Sequence, residues 1–396
     1  MLNFLEGVRV LDFTQFLAGP YCTMVLGDLG AEVIKVERPR VGEVYRTYGP
    51  KFIKGESSSF LSVNRNKKSI VIDLKDARGI EIVKRLVAET DVLVENFKSG
   101  TMDRLGLGYE ELEQINPALI YCSISGFGST GPYRDRGGFD LIVQGMSGLM
   151  SMTGEADGPP VKVGTPISDM GGAAFGTIGI LAALIERAKS GKGQYIDASL
   201  LDASLAWTTL PIGNYLADGE IPGRLGSASP QNAPYQAFAT SNGHLTIGTG
   251  NQRLWETLCK IMGLEELIHD ERFPDNAARV RNQKELAALL EEKFKERTTE
   301  YWIEVLNDAG IPTGPIYNME EALNDPHVRA RGVLWEVDHP RAGKVTVMGL
   351  PIKFSAASGD APQAPPLLGE HTKAVLHRAG YTKEEIEQFY SDEIVG

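Results

Sequence analysis

The stretch Ser69 to Phe97, SIVIDLKDARGIEIVKRLVAETDVLVENF, holds a helical pattern between two apolar runs of strand length. In its middle, Ala77 to Glu89, apolar residues recur at spacings of three and four, which is typical of an amphipathic helix. Strands and helices that alternate in this order form a parallel sheet with helices on its faces. The stretch therefore predicts an α/β fold.

The same alternation continues on both sides of this stretch. Further strands are predicted at Val8 to Phe13, Ala31 to Glu37, Leu119 to Ser125 and Gln194 to Leu200. Together with the two runs above they predict one Rossmann-like parallel sheet. The first strand-to-helix loop, Thr14 to Pro20, lacks the spaced glycines that approach a pyrophosphate, so the sequence disfavours bound NAD or FAD.

The rest of the chain predicts a second, smaller domain. A chain of 396 residues is longer than most single cores allow, and the small and polar residues from Gly223 to Pro234 indicate a linker. Asn242-Gly243 is a strong hairpin signal, and the last helical pattern runs from Glu370 to Ala379. We expect a large domain from residues 1–205 and 351–396, linkers at 206–234 and 327–350, and a small α+β domain at 235–326.

Composition restricts the class of binding partner and indicates the cellular compartment. The net charge of -12 and the pI near 5.2 argue against nucleic acid or an anionic membrane as the main partner. Three widely spaced cysteines, Cys22, Cys122 and Cys259, favour a reducing compartment over a disulfide framework or a zinc site. The first residues show no secretory signal, and the apolar segment Ala173 to Ile185 is too short and glycine-rich to cross a bilayer. We therefore expect a cytoplasmic protein.

A single carboxylate stands out among small residues in the loop Gly164 to Gly172, GTPISDMGG. Asp169 falls where the first turn of an apolar helix should begin, and the unpaired N–H groups and partial positive charge there would keep its carboxylate ionised and nucleophilic. Gly171 and Gly172 would let a bulky substrate approach the backbone. The alternative is that Asp169 or Ser168 only caps the helix. The residues alone favour the capping interpretation and leave the nucleophile as the alternative.

Several blocks of sequence carry a resemblance that covers essentially the whole chain. In order they are GVRVLDFTQFLAGPYCTMVLGDLGAEVIKVERP, SVNRNKKSIVIDLKD, DVLVENFKSG, SISGFGSTGPYRDRGGFD, ASLLDASLAW, GTGNQRLWETLC and PPLLGEHT. Together they resemble the class III CoA-transferases, the family of formyl-CoA transferase and carnitine CoA-transferase. The segments VNRNKKSI, IYCSISGFG and IPTGPIYNM are most similar to the dicarboxylate branch, which acts on succinyl-CoA and glutarate.

The resemblance implies that Asp169 is the catalytic nucleophile. Its carboxylate would attack the carbonyl of an acyl-CoA thioester, giving a mixed anhydride and then a thioester between the enzyme and CoA. Coenzyme A would enter as a thioester substrate, and no permanently bound cofactor or metal is expected. Backbone N–H groups near Gly171 or Gly172, or in the turn that contains Gly248 and Gly250, would stabilise the tetrahedral oxyanion.

The resemblance also implies the binding residues and the assembly. The positions that match the CoA-contact segments are Ala18, Arg38, Ile72, Lys75, Asn96, Phe97, Lys98 and Arg104. The alternative for the lysines and for Arg104 is solvated surface charge. Arg46 could pair with the distal carboxylate of a dicarboxylic acid, because a guanidinium fork suits that geometry. Members of the family form interlocked homodimers, so we expect the same assembly here.

Two residues distinguish this chain from related activities on the same fold. The α-methylacyl-CoA racemases carry a proton-shuttling histidine where this chain has Phe139, which we expect to contact substrate instead. Formyl-CoA:oxalate enzymes typically carry glutamine at the position of Leu17, which makes oxalate a weaker candidate acceptor. Racemase chemistry and oxalate transfer remain the alternatives. A noncatalytic CoA-binding protein would not need Asp169.

Overall fold

The computed structural model describes residues 2–355 and 361–396. They form two compact units. The first contains the described residues of Met1–Leu149, Lys162–Ala217 and Arg331–Gly396, and the second contains Met150–Val161 and Asp218–Ala330. Both ends of the chain belong to the first unit, and the short segment Met150–Val161 groups with the second. The domain boundaries given above remain predictions.

The strands and helices of the described residues are as follows. The strands are β1 (Arg9–Asp12), β2 (Glu32–Glu37), β3 (Phe52–Ile53), β4 (Glu56–Ser57), β5 (Lys67–Val71), β6 (Val92–Glu95), β7 (Ile120–Ser125), β8 (Gln194–Ser199), β9 (Tyr235–Ala239), β10 (His244–Gly248), β11 (Thr313–Pro315), β12 (Leu334–His339) and β13 (Gly343–Met348). The α-helices are α1 (Ala18–Asp28), α2 (Ser58–Val63), α3 (Ala77–Val87), α4 (Thr101–Arg104), α5 (Tyr109–Ile115), α6 (Asp140–Met146), α7 (Leu149–Met152), α8 (Ile167–Ser190), α9 (Leu200–Trp207), α10 (Thr209–Asp218), α11 (Gln252–Met262), α12 (Asn276–Arg281), α13 (Gln283–Phe294), α14 (Thr299–Asp308), α15 (Met319–Asn324), α16 (Pro326–Ala330), α17 (Thr372–Arg378) and α18 (Lys383–Ser391). Val44–Arg46 and Glu265–Ile268 form short 3₁₀ turns.

The first unit is built on a six-stranded parallel sheet with the order β5-β2-β1-β6-β7-β8. This confirms the predicted α/β fold and parallel sheet. The chain adds strands outward from β1 on one side, and it then returns to the other side of β1 with β6. In open parallel sheets, ligands bind outside the carboxyl ends of the strands at such a reversal. The topology therefore predicts a ligand site at the loops that follow β1 and β6.

Helices cover both faces of this sheet. On one face α1 and α8 pack against the strands, and the buried core there includes Cys122 and Ile180. On the other face α3, α17 and α18 surround a core that includes Ile82 and Leu376. The central strands β1, β6 and β7 are thus buried on both sides, which is why they are rich in apolar residues.

Helix α8 is longer than predicted. It runs from Ile167 to Ser190 and ends at Gly191, whose φ of 71° suits the left-handed conformation of a helix end. By length and composition alone it could cross a membrane, so the expectation that this segment is too short was wrong. It packs against α1, β7 and β8, with Ala173 and Ile180 fully buried. One face of α8 is therefore buried against the sheet, whereas Ile178 and Ile185 are exposed.

The last residues of the chain complete the edge of the sheet at β5. Asp73 N–H donates to the Ile394 carbonyl at 2.8 Å, and Ile72 pairs with Val395 in an antiparallel bridge. Gly369 N–H donates to Ser69 Oγ at 2.9 Å. Helix α18, which precedes Ile394 and Val395, was not expected, because the sequence predicts Glu370 to Ala379 as the last helical segment.

The second unit has its own sheet and core. Strands β9 and β10 pair as the hairpin that Asn242-Gly243 predicts, with Ala239 opposite His244, and β11 pairs with β10. Helices α11, α13 and α14 enclose a core in which Trp255 and Phe294 are fully buried. This unit is therefore an independent α+β structure.

Candidate active site

The loops that follow β1 and β6 are joined at the reversal of the strand order. Gln15 N–H donates to Asn96 Oδ1, and Asn96 Nδ2 donates to the Gln15 carbonyl, both at 2.7 Å. A cavity of about 560 Å³ opens beside these loops, and Asp169 lines it. We call it the Asp169 cavity. Its position is the one that the sheet topology favours for a ligand.

Asp169 lies in the first turn of α8, as predicted, but it does not cap the helix. Pro166 occupies the N-cap position and makes no side-chain capping hydrogen bond. Ser168 is fully buried, and its hydroxyl accepts a hydrogen bond from Ser204 Oγ at 2.8 Å. Within residues 2–355 and 361–396, no hydrogen bond to the Asp169 carboxylate is present. The capping interpretation was therefore wrong, and this carboxylate is available to a substrate.

The electrostatic expectation for Asp169 was also wrong. Burial and the nearby Asp140 carboxylate raise the pKa of Asp169 to about 7, whereas the helix start was expected to keep it low. The reason is that the first-turn N–H groups are already used. Ser168 N–H donates to Asp140 Oδ1 at 2.9 Å, and Met170 N–H donates to the Pro166 carbonyl at 3.1 Å. At neutral pH this carboxylate is thus close to its midpoint of ionisation.

Asp140 is held in place by a short hydrogen-bond network. Gln144 Nε2 donates to Asp140 Oδ2 at 2.7 Å, and Gln144 Oε1 accepts from Val163 N–H at 2.9 Å. The Gln144 side chain is completely buried. The network ties α6, the start of α8 and the segment at Val163 together, and so fixes the carboxylate that raises the pKa of Asp169.

The two glycines after Asp169 serve packing rather than substrate approach. Both are buried inside α8, beyond the first turn, where N–H groups bond to carbonyls within the helix. A Cβ on Gly171 would lie 2.6 Å from Trp207 Nε1, and one on Gly172 would contact Leu200. This helical setting does not favour Gly171 or Gly172 as oxyanion donors, and the prediction that N–H groups near them stabilise the oxyanion remains a prediction.

Aromatic side chains form one wall of the Asp169 cavity. Phe16 has a φ of 63°, a left-handed conformation that is uncommon for a residue with a side chain. Its ring meets Tyr45 and Phe139 edge to face, with centroid separations of 5.7 and 6.1 Å. Burial and the charge of Asp169 raise the pKa of Tyr45 to about 12. Phe139 lines the cavity as expected, and no histidine is among the described residues that line it.

A buried charged cluster supports the loop that carries Phe16. We call it the Asp12 cluster; it consists of Asp12, Lys35, Lys67, Thr14 and Thr23, all at most 2% exposed. Asp12 accepts from Thr14 N–H, from both threonine hydroxyls and from Lys67 Nζ, at 2.6 to 3.0 Å. Lys35 Nζ donates to the Thr14 carbonyl at 2.7 Å. The cluster thus fixes the start of the loop.

The residues expected to bind CoA fall beside two neighbouring cavities. Ala18, Asn96, Phe97 and Lys98 line the Asp169 cavity. A second cavity of about 250 Å³ shares Phe97 with it and is lined by Arg38, Ile72 and Lys75. Arg104 lines neither, although it donates to Thr101 Oγ1 at 3.0 Å and Thr101 lines the second cavity. The structure thus brings most of these residues together, and their roles remain predictions.

The remaining sequence candidates lie elsewhere. Arg46 forms two hydrogen bonds with Glu37, at 2.6 and 2.7 Å, and does not line the Asp169 cavity. Since its guanidinium already has a carboxylate partner, we do not retain Arg46 as a substrate ligand. Gly248 and Gly250 belong to the second unit, where they line a separate cavity, and their role remains a prediction.

Sequence reasoning missed several residues of the site. Asp140 is the last residue of the block SISGFGSTGPYRDRGGFD and opens an apolar helical pattern, but neither signal gave it a role in the site, and Gln144 carries no motif. Phe16 and Tyr45 meet only through folding. The three cysteines are free and buried, and the residues that the structure describes contain no cluster of His, Cys, Asp and Glu able to hold a metal ion.

Replacing Asp169 with asparagine is expected to stabilise the protein at pH 8 but not at pH 4. Because the pKa of this carboxyl is higher in the folded state than its usual 3.8, the folded state loses stability as pH rises from about 4 to 7. Above pH 7 the variant should gain about 1–4 kcal/mol in the free energy of unfolding. Denaturant titrations at both pH values test this, with exposed Glu186→Gln as control. An equal gain at both pH values would contradict it.

Known proteins resemble this chain over nearly its whole length. The model of CoA-transferase family III matches residues 5–372. Succinyl-CoA:glutarate CoA-transferase of Mus musculus is 46% identical over 94% of this chain and 85% of its own length. Acetyl-CoA:oxalate CoA-transferase of Acetobacter aceti is 42% identical over 91% of this chain and 92% of its own. A crystal structure of a CAIB/BAIF family protein from Brucella suis has a TM-score of 0.84 and 42% identity, and covers 95% of this chain and 99% of that one.

Proposed function

Because this chain belongs to CoA-transferase family III and is therefore an enzyme that transfers coenzyme A, we propose that it moves CoA from succinyl-CoA to a short dicarboxylate such as glutarate through a thioester on Asp169. The observation that carries the proposal is the Asp169 carboxylate itself. It lies in a cavity at the reversal of the strand order, and no hydrogen bond from the described residues occupies it. The mouse relative, by its name, acts on the same pair of acids.

The proposed reaction proceeds in four transfers of an acyl group. The ionised Asp169 carboxylate attacks the thioester carbonyl of succinyl-CoA. The CoA thiolate departs, and a mixed anhydride between Asp169 and the succinyl group remains. The thiolate then attacks the Asp169 carbonyl, which releases succinate and leaves CoA joined to Asp169. Glutarate attacks this thioester, forms a second anhydride and frees the thiolate. The thiolate finally attacks the glutaryl carbonyl, which yields glutaryl-CoA and the free Asp169 carboxylate.

The two neighbouring cavities suit the two ends of a CoA thioester. Arg38 and Lys75 beside the smaller cavity would meet the phosphate groups. Phe97, which lines both cavities, would lie along the pantetheine arm, and Asn96 and Lys98 would flank it. The thioester would then enter the Asp169 cavity. No other cofactor is needed, because each step exchanges one acyl derivative for another.

The choice of acceptor is tested by product analysis. The protein is incubated with succinyl-CoA and either glutarate or oxalate, and the acyl-CoA products are measured by liquid chromatography and mass spectrometry. We expect glutaryl-CoA to form with release of an equal amount of succinate, and oxalyl-CoA to form more slowly. Faster oxalyl-CoA formation would instead favour the activity named for the Acetobacter aceti relative.

Replacing Asp140 with asparagine is expected to shift the acidic limb of the pH–rate profile to lower pH. The first step needs ionised Asp169, whose pKa is about 7, and the Asp140 charge is one cause of that value. Removing this charge should lower the midpoint of the pH–rate profile by about one pH unit, while burial keeps it above the usual range of a carboxyl. The rate of thioester formation is measured between pH 5 and 9. The exposed Asp135→Asn serves as control, and an unchanged midpoint in Asp140→Asn would count against this.

We further propose that the enzyme is an interlocked homodimer. The support is an uncovered apolar surface on the first unit: Ile178 and Ile185, seven residues apart on one face of α8, are 58% and 63% exposed, and Leu210 and Leu216 of α10 are 65% and 76% exposed. A second copy would cover this surface. Light scattering after gel filtration should report twice the 43.1 kDa chain mass. A monomer would refute the dimer without affecting the proposed chemistry.

One further proposal follows from composition. The free cysteines and the acidic charge support a cytoplasmic enzyme whose substrates are small acids rather than nucleic acid or a membrane. The α-methylacyl-CoA racemase alternative has little support, since Phe139 lines the Asp169 cavity where that family carries a histidine. If the α-protons of an acyl-CoA exchange in heavy water and no CoA transfer occurs, the result would support the racemase alternative.

A further inference from the structure

The Asp169 cavity carries more positive than negative side chains. Among the described residues that line it, the cations are Lys98, Arg134, Arg136 and Lys162, and the carboxylates are Asp140 and Asp169. A cavity with an excess of cations favours an anionic ligand. Coenzyme A carries its phosphates far from its thioester, so an additional anion next to Asp169 has to belong to the acyl group.

Arg134 and Arg136 contact other side chains, and Lys98 is assigned to another ligand group. Arg134 lies 3.5 Å from the Asp135 carboxylate, and the Arg136 guanidinium stacks on the Tyr133 ring at 4.4 Å. Lys98 is assigned to CoA by the proposed function. Lys162 donates only to the carbonyls of Val163 and Gly164, at 3.1 and 3.4 Å, and has no carboxylate or aromatic partner among the described residues. Lys162 is thus the cation that remains available.

The backbone next to Lys162 is fixed relative to Asp169. Val163 N–H donates to Gln144, Gln144 donates to Asp140, and Asp140 accepts from the N–H group of Ser168, the residue before Asp169. The Lys162 side chain itself is exposed, and a lysine has a long stem with several rotatable bonds. A fixed backbone with a flexible ammonium suits an anion whose distance from Asp169 varies slightly with chain length.

We propose that Lys162 binds the distal carboxylate of the dicarboxylic acyl group while its other carboxyl carbon reacts at Asp169, and that this contact makes the enzyme prefer dicarboxylates to monocarboxylates. The inference rests on the proposed function and adds the residue that selects the substrate class. Lys162 would hold succinyl-CoA in the first half of the reaction and glutarate in the second. The aromatic wall at Phe16 and Phe139 would contact the methylene groups between the two ends.

The test compares two donors that share CoA and a four-carbon acyl chain but differ in the distal carboxylate. The rate of thioester formation on the enzyme is measured by quenched-flow mass spectrometry with succinyl-CoA and with butyryl-CoA. For Lys162→Met we expect the succinyl-CoA rate to fall roughly ten- to hundredfold, the loss of one charge-assisted hydrogen bond, while the butyryl-CoA rate changes less than about twofold. Lys162→Arg should keep most of the preference.

Two controls separate this role from others. Lys192→Met removes an exposed lysine at the far end of α8 and should change neither rate. Lys98→Met should slow both donors alike, because it removes a contact to the shared CoA. If Lys162→Met keeps the wild-type ratio of the two rates, or slows both equally, the inference fails while the proposed function stands. If the wild type forms no thioester with either donor, the proposed function fails and the inference fails with it.

Discussion

Replacing Asp169 with alanine is expected to abolish the covalent CoA adduct and to lower the rate of CoA transfer about 10⁴-fold or more. Removal of the nucleophile from a covalent enzyme has an effect of this order, because both halves of the reaction pass through the same carboxyl group. The described residues that line the Asp169 cavity offer only one other carboxylate, Asp140, and its two oxygens already accept from Ser168 N–H and Gln144 Nε2. We therefore expect no substitute nucleophile.

The measurement is the intact mass of the protein after incubation with succinyl-CoA. The wild type should gain a CoA-sized adduct that hydroxylamine removes and that added glutarate discharges. Asp169→Ala and the isosteric Asp169→Asn should show no gain in mass, whereas Asp140→Asn should still show it. A CoA-sized adduct in Asp169→Ala would refute the assignment of the nucleophile.

Replacing Asp12 with alanine is expected to lower the free energy of unfolding by about 3–5 kcal/mol, because it leaves the buried Lys67 ammonium without its carboxylate partner at 3.0 Å, whereas Lys35 keeps Glu43 at 3.0 Å. Both lysines and Asp12 are at most 2% exposed. Although burial raises it, the two lysines lower the pKa of Asp12 to about 2, which indicates how strongly the cluster favours the ionised carboxylate. The same change should loosen the loop that carries Phe16, and thus reduce catalysis as well.

Urea denaturation measures this loss. Asp12→Asn, which keeps the shape but not the charge, should cost nearly as much as alanine, since the charge is the main contribution. Glu186→Ala removes an exposed partner of Lys189 and should change stability by less than about 0.5 kcal/mol. A loss below about 1 kcal/mol in Asp12→Ala would mean that the lysines find other partners or give up their protons.

The sequence predicts the central strands of the sheet well because they are buried on both faces. The run Asp91 to Phe97 contains the continuous apolar segment Val92 to Val94 and follows a helical pattern, so its identity as a strand does not depend on distant contacts. Helix α18 was missed although Thr382 and Glu385 form a capping box, a signal visible in the sequence.

The electrostatics of the site could not be predicted in the same way. The position of Asp169 in the first turn of a helix is a local property, and the sequence placed it correctly. Its pKa depends on Asp140, which comes from another helix and takes up the Ser168 N–H group that would otherwise favour ionisation. The pairing of Arg46 with Glu37 is likewise set by the fold. Contacts between segments that are distant along the chain cannot be predicted from a single sequence.

The closure of the sheet edge by the last residues has a consequence for how the protein is made. Ser69 and Gly369, which share a hydrogen bond, are 300 positions apart. A ribosome releases β5 and β6 long before it releases α17 and α18, so the apolar face around Ile82 stays uncovered while the whole second unit is synthesised. Exposed faces of this kind promote aggregation during synthesis. Chaperone demand in the cell should therefore depend on how quickly the final 25 or so residues dock.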